Sequence, residues 1–361
     1  MSNDRTILVT GGGGFVGGRV AESIHLSGFG RARAGVRRWS SAARLCRFPI
    51  DVVMCDIMKR EDAVQAVEGA QAVVHCAYTD DKTSIVEGTR NMLEAAQNCG
   101  VERFVFLSTA EVYGSDVQGD VLEAHETPYT GRPYADGKID AERLCLEYQA
   151  KGLPVTILRP SLIYGPMGQS WTVRVAARLQ SGNWGTFDEY GSGYCNLIYV
   201  DDLVRAIFAA IENPHAVGET FNVNGPDVVT WNEYFQRFNE RLGMSPLESI
   251  SPRQSRLKSM LRDRAQVVAS AAVNRFQGLV TRINQREGLG SAVIKRVKNT
   301  LHSTPSQREL DSLYSRRAYY VANKAEELIG YTPRFSLDEG LRLSVLWLAH
   351  HSLADPALIR V

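Results

Sequence analysis

The sequence predicts an α/β fold, a doubly wound parallel sheet with a smaller, mostly helical C-terminal part. Three observations carry that expectation. Short apolar, β-branched runs recur roughly every 20 to 30 residues through the first part of the chain, segments with helical spacing separate them, and small or polar residues stand where each run ends. Parallel strands joined by helices gather ligands at their carboxyl ends, so those end residues are where chemistry is expected.

The first run, 6–9, leads into Thr10-Gly11-Gly12-Gly13-Gly14-Phe15-Val16-Gly17, and helical spacing follows over 18–24. A strand, a glycine turn and a helix start make a cradle for a pyrophosphate. The glycines permit the tight turn, let backbone approach the phosphates and let helix and strand pack closely; the helix N-terminus presents free N–H groups and partial positive charge. The second run, 31–38, ends in Arg37 and Arg38, with Ser40 and Ser41 just beyond and no Asp or Glu. An acidic residue there accepts from the adenosine ribose 2′-hydroxyl, whereas arginine pairs with a 2′-phosphate. Arg37 therefore favours NADP(H) over NAD(H); a solvated arginine loop is the plainer alternative.

A third strand over 50–56 places Asp56 at its end, facing the adenine side. Residues 60–67 read as a helix with Ala63, Val64 and Val67 buried, and 72–77 as a buried strand whose His75 reads more readily as a core residue than as a catalyst. A helix over 85–99 carries Met92, Leu93 and Ala96 on one face and is capped by Gly100. Strand five, 103–107, ends at Ser108-Thr109. Tyr134 and Lys138 then open a helix that runs on through 139–150, and 155–160 forms a sixth strand. Residues four apart share a helix face, so Tyr134 and Lys138 point into one cleft. A phenol near pKa 10 is a poor base at neutral pH, and a neighbouring ammonium and oxidised nicotinamide are expected to lower it.

At 361 residues the chain can bury a sizeable core, and 41 basic against 40 acidic residues give no overall preference for nucleic acid or membrane. Six scattered cysteines, with no metal-ligand spacing, read as reduced thiols of a cytoplasmic protein. The chain enters its first strand at once, and no apolar run reaches membrane-span length.

Together these stretches resemble the extended branch of the short-chain dehydrogenase/reductase superfamily, the NAD(P)-dependent epimerase/dehydratase type. The matching residues are the T-G-x-x-G-x-x-G run from Thr10 to Gly17, 73–77, 88–96, 108–114, Tyr134 to Lys138, 158–166, 199–206 and 323–333. The resemblance implies a Rossmann-type sheet. It makes Tyr134 the general acid/base, with Lys138 lowering its pKa and holding the nicotinamide ribose, and Thr109 the donor to the reacting oxygen. Cofactor contacts are expected from Gly11, Gly14, Phe15, Val16, Gly17, Arg37, Asp56, Ile57, Ala77, Tyr134, Lys138 and Pro160. Glu111 stands where many dehydratases and decarboxylases of the family carry a proton-transferring carboxylate, although Ala110 replaces the aspartate that often precedes it.

Other positions depart from the nucleotide-sugar pattern. Leu162 and Ile163 stand where an asparagine usually binds the diphosphate, Cys195 falls where an arginine is usual, and Ile85 replaces an asparagine linked to a water relay behind Lys138. Losing two donors would cost diphosphate binding heavily, with Arg174, Arg178, Arg316 or Arg317 as candidates to compensate. Residues 252–308 hold 12 basic residues against Asp263 and Glu287, with apolar residues at near-helical spacing. That stretch reads as a lid or dimer helix, a membrane-surface helix or an acidic-partner site.

The expected organisation is a dinucleotide domain over 1–166, re-entered at about 195–212, and a substrate domain over 167–194 and 213–361. The expected activity is hydride transfer at a secondary alcohol or ketone of a sugar or sugar-nucleotide derivative. A 3β-hydroxysteroid dehydrogenase/sterol decarboxylase-like enzyme on a lipid and a non-catalytic NADP(H)-binding sensor are the alternatives. A homodimer without nucleic acid is expected, with peripheral membrane contact through 252–308 in the lipid reading.

Overall fold

The computed structural model describes residues 5–251, 253–254, 257, 260 and 305–360. These fall into two compact units. The first comprises Met1–Tyr164, Asn196–Asp227 and Tyr319–Leu337, and the second Gly165–Cys195, Val228–Ala318 and Asp338–Val361.

In chain order the first unit contains β1 (Thr6–Thr10), α1 (Phe15–Ser27), β2 (Arg31–Val36), β3 (Asp51–Met54), α2 (Arg60–Val67), β4 (Ala72–His75), α3 (Lys82–Asn98), β5 (Arg103–Leu107) and β6 (Gly119–Val121). It continues through α4 (Pro133–Ala150), β7 (Val155–Pro160) and β8 (Leu162–Tyr164). Seven strands form one sheet in the order β10-β7-β5-β4-β1-β2-β3, where β10 is Thr220–Val223. Every pairing in it is parallel, from Val36 beside Met54 at one end to Phe221 beside Leu158 at the other.

Both faces of the sheet are covered, which is why its strands read as continuous apolar runs rather than alternating ones. Ile7 and Val9 point to the face packed by Val20 and Ile24 of α1 and by Leu203, Ile207 and Ala210 of α6 (Val200–Glu212). Leu8, between them, faces the opposite way with Ala63 of α2, Met92 of α3 and Ala141 of α4. β8 pairs in parallel with β9 (Leu197–Tyr199) in a separate small ribbon.

The structure corrects several expected boundaries. The third strand spans four residues, ending at Met54. α3 begins at Lys82 because the Asp81 carboxylate accepts from the Ser84 N–H (2.8 Å), a cap that starts the helix earlier than its apolar face suggests. A seventh strand, β10, was not anticipated. Its Asn222 is fully buried, accepting from the Tyr113 hydroxyl (2.6 Å) and donating to the Val121 carbonyl (2.9 Å), so a polar residue masks a core strand. β10 brings residues 213–227 into the first unit. Residues 319–337 join it too, because Lys324 donates to the Thr220 carbonyl (2.9 Å), the Tyr331 hydroxyl donates to the Asn224 carbonyl (2.9 Å), and Ala325 and Ile329 of α8 (Asn323–Ile329) enter the core.

The second unit is mostly helical, built on α5 (Arg174–Gln180), α7 (Trp231–Arg241) and most of α9 (Leu337–His350). Its core is aromatic: Trp184, Phe187, Phe235 and Tyr314 pack edge-to-face and stacked at centroid separations of 5.1 to 6.4 Å. Most of the basic stretch 252–308 lies outside the described residues. Among the described residues, no helix is long and apolar enough to cross a membrane.

Candidate active site

The glycine turn is built with no room for side chains. Gly11 has φ +66°, and a Cβ there would lie 2.9 Å from the Ala77 Cα and the Cys76 carbonyl oxygen. One on Gly17 would lie 2.4 Å from the Gly11 oxygen. The turn is also tied to the neighbouring strand ends. The Gly12 N–H donates to Gly35 of β2 (3.0 Å), the Thr10 hydroxyl accepts from the Ala77 N–H (3.2 Å), and Thr10 Oγ1 lies 2.8 Å from His75 Nδ1. Gly14 is the residue before α1 and supplies no capping side chain. Backbone N–H groups at an uncapped helix start, over a turn that only glycine fits, suit a dinucleotide's pyrophosphate. Arg44, held bidentately by the buried Glu22 (2.7 Å on both oxygens), braces this turn by donating to the Phe15 carbonyl (3.3 Å).

The other expected cofactor residues lie at the same edge of the sheet. Arg37 and Arg38 are exposed beyond the end of β2. Asp56 accepts from the Met58 N–H (3.2 Å), and Ile57 presses on α3 at Gly88, where a Cβ would come within 2.4 Å of its side chain. Pro160 ends β7, and Ala77 lies two residues beyond His75, where β4 ends and not at 77 as expected.

The chemical residues stand where β5 ends and α4 begins. The Thr109 and Tyr134 side chains lie close enough to interact. Burial pushes the Tyr134 phenol well above its usual pKa, the Glu111 carboxylate raises it further, and the Thr109 hydroxyl draws it partly back. Without a bound nicotinamide, the chain's own groups keep Tyr134 protonated. Lys138 is buried, donates from Nζ to the Leu107 carbonyl (2.7 Å) and lies 4.6 Å above the Phe106 ring. Burial lowers its ammonium to a pKa of about 8. Glu111 is paired with Arg132 at 2.8 Å, both partly exposed. Arg132 was missed by the sequence reading; its only signal is its place just before Pro133-Tyr134.

Three further groups were missed as a network. Glu142, one helical turn beyond Lys138, takes a bidentate pair from Arg159 (3.0 and 2.6 Å) and the Ser108 hydroxyl (2.5 Å), all buried. Arg178, one of the four arginines that were candidates to replace a missing diphosphate donor, is committed elsewhere. It is buried, bonded to Glu309 (2.7 Å) and the Tyr314 hydroxyl (3.1 Å), and lies over the Trp184 ring. Cys195 is 1 % exposed in the second unit, where burial holds its thiol well above the usual pKa. Ile85 packs against α4 at Gly137, so an apolar contact occupies the place expected for a polar relay. Among the described residues no cluster of His, Cys, Asp or Glu is arranged to hold a metal.

The sequence model of the NAD dependent epimerase/dehydratase family matches residues 7–224. A UDP-N-acetyl-alpha-D-glucosaminuronate decarboxylase of Bacillus cytotoxicus is 28% identical over 68% of this chain and 84% of its own length. A 3beta-hydroxysteroid-dehydrogenase/decarboxylase of Arabidopsis thaliana is 23% identical over 83% of this chain and 67% of its own. The crystal structure of the UDP-glucuronic acid 4-epimerase of Bacillus cereus, in complex with UDP-glucuronic acid and NAD, superposes with a TM-score of 0.69 at 18% identity, covering 96% of this chain and 99% of that one. That likeness is one of fold.

Proposed function

We propose, from the premise that the chain belongs to the NAD dependent epimerase/dehydratase family and is an NAD(P)-dependent enzyme of the short-chain dehydrogenase/reductase type, that it transfers hydride at a secondary alcohol or ketone of a sugar or sugar-nucleotide derivative, with NADP(H) preferred. The observation that carries the reading is the gathering of Thr109, Tyr134 and Glu111 at one place, with Lys138 on the next turn of the same helix as Tyr134. The nicotinamide, when bound, supplies or accepts the hydride. The Thr109 hydroxyl orients the substrate oxygen, Tyr134 gives or takes its proton, and Lys138, fixed on the Leu107 carbonyl, is placed to hold the ribose. A free Tyr134 held protonated by burial suits the reductive direction, in which the phenol donates its proton. In oxidation, the positive charge of an oxidised nicotinamide is what would favour the phenolate. Glu111 supplies a second proton-transfer group for steps after oxidation, with its carboxylate held in place by Arg132 at 2.8 Å. For NADP(H), the support is Arg37 at the end of β2 with no carboxylate beside it.

The test is Tyr134→Phe, assayed by cofactor oxidation or reduction across a panel of sugar and sterol ketones and alcohols. Turnover should fall by about 10²- to 10⁴-fold while cofactor binding is retained. Full turnover in the variant would overturn the assignment.

A second reading, a lipid-like hydroxy acid substrate, is favoured by one observation. Leu162 and Ile163 are apolar, Cys195 is buried and Arg178 is already bonded, so four positions considered for diphosphate recognition offer no free donor. The hydroxysteroid dehydrogenase/decarboxylase relative adds support.

A further inference from the structure

The turn after β2 contains a feature that the pyrophosphate cradle and Arg37 leave unexplained. Trp39 is 63% exposed, in a short helical turn, Trp39–Ala42, that directly follows Arg37 and Arg38. A solvated indole forfeits a large apolar burial, and a single exposed tryptophan needs no explanation unless its surroundings point to a ligand. Here they do.

The Trp39 turn is fastened against the phosphate cradle. The Ser41 N–H donates to the Arg38 carbonyl (2.9 Å), closing the turn, and a Cβ on Gly13 would lie 2.6 Å from both the Cβ and the carbonyl oxygen of Ser41. Gly13 is therefore needed for the turn to rest on the glycine run. On its other side β2 adjoins β3, with Val36 beside Met54 and the Cys55 N–H donating to the Val36 carbonyl (2.9 Å). Trp39 thus follows β2 by three residues at the edge where Asp56 and Ile57 follow β3. It offers a flat, apolar, electron-rich face, and Arg37 and Arg38 immediately precede it in the chain.

We propose that Trp39 is the platform for the adenine ring of the bound dinucleotide. The indole stacks on the purine of the molecule whose pyrophosphate lies over Gly11–Gly17, and Arg37 and Arg38 lie to the side of the ring where a 2′-phosphate projects. The proposal rests on the dinucleotide reading of the glycine turn; the choice between NADP(H) and NAD(H) does not affect it. Every nucleobase has a π-face, so stacking holds the ring whether or not the ribose carries a phosphate. It gives Trp39 the task of general affinity and leaves discrimination to the arginines.

The experiment is equilibrium binding to the full chain, read by tryptophan fluorescence and by calorimetry. The probes are NADPH, NADH and adenosine 2′,5′-bisphosphate, which keeps purine and 2′-phosphate without nicotinamide. The chain has five tryptophans, so Trp39→Phe identifies the Trp39 share of the emission while keeping an aromatic face. Adenosine 2′,5′-bisphosphate should quench the wild type and leave the emission of Trp39→Phe unchanged. Trp39→Ala should weaken NADPH and NADH alike, by about tenfold each, and Trp39→Phe should restore most of that loss. Arg37→Ala separates the two readings: it should weaken NADPH and spare NADH, and if it spares both, the NADP(H) preference fails while the stacking stands. Wild-type affinity of Trp39→Ala for both cofactors, or bisphosphate binding without quenching of Trp39, would overturn the platform. The indole is exposed, so a melting temperature equal to wild type confirms that the variant is folded.

Discussion

His75 shows how one residue ties the cradle to the core. Its Nδ1 meets Thr10 Oγ1 at 2.8 Å and its Nε2 meets Thr89 Oγ1 at 3.3 Å, joining the end of β1 to α3 through β4. Burial, reinforced by the Lys138 ammonium, lowers its pKa to about 3. The folded pKa lies below the ordinary 6.5, so the unfolded chain binds the proton more readily as pH falls. The stabilisation is therefore complete above about pH 6.5 and is lost progressively toward pH 3. Between pH 6.5, where the unfolded imidazole is already half protonated, and pH 4.5 the loss is about 2 kcal/mol. Urea unfolding at pH 6.5 and pH 4.5 should show the wild type losing about that much more than His75→Gln, which keeps an amide between the two threonines. Equal losses in the two proteins would remove His75 from the account. That this histidine belongs to the core was readable from the apolar run around it. Its two threonine partners were not, since one is 65 residues away in sequence.

At the scale of elements, α4 decides whether the site is assembled. Tyr134 and Lys138 are presented by its first turns, and Glu142, one turn further, bolts it to the sheet through Arg159 of β7 and Ser108 at the end of β5. Glu142 is 5% and Arg159 7% exposed. Removing one partner of such a pair leaves a buried charge uncompensated, costing about 3–5 kcal/mol. Glu142→Ala should lose that much by chemical denaturation, and a loss below about 1 kcal/mol would mean the pair is dispensable. The helix and the Tyr134–Lys138 pair on it were legible because the two have helical spacing and follow a strand that ends in Ser-Thr. β7 and α2 have the bounds that their apolar patterns indicate. The bolt was illegible, because a Glu on a helix and an Arg in a strand 17 residues later look like two unrelated charges. Arg178 misled for the same reason: Glu309 and Tyr314, which occupy it, lie more than 130 residues downstream.

Over the whole molecule, the parallel sheet carried its own description, since strands covered on both faces are continuous apolar runs in sequence. The second unit did not. Its aromatic core gathers Trp184, Phe187, Trp231, Phe235 and Tyr314 from distant segments with no common period. Charge is distributed just as unevenly. The chain's net charge is +1, yet residues 252–308 carry +10, so all other residues together carry −9. A cationic stretch on an otherwise acidic protein should meet an anionic bilayer in one orientation only, because the remainder is repelled. Each Lys or Arg near such a surface contributes about 1 kcal/mol, and the attraction is confined within a Debye length of about 10 Å at 0.1 M salt. The lipid reading of the substrate therefore predicts that the full chain cosediments with vesicles rich in phosphatidylserine at low ionic strength, is released near 1 M salt, and ignores pure phosphatidylcholine. Failure to bind the anionic vesicles at low salt would take away the charge-based support for a membrane-borne substrate. The sugar-derivative reading would then stand on Thr109, Tyr134 and Glu111.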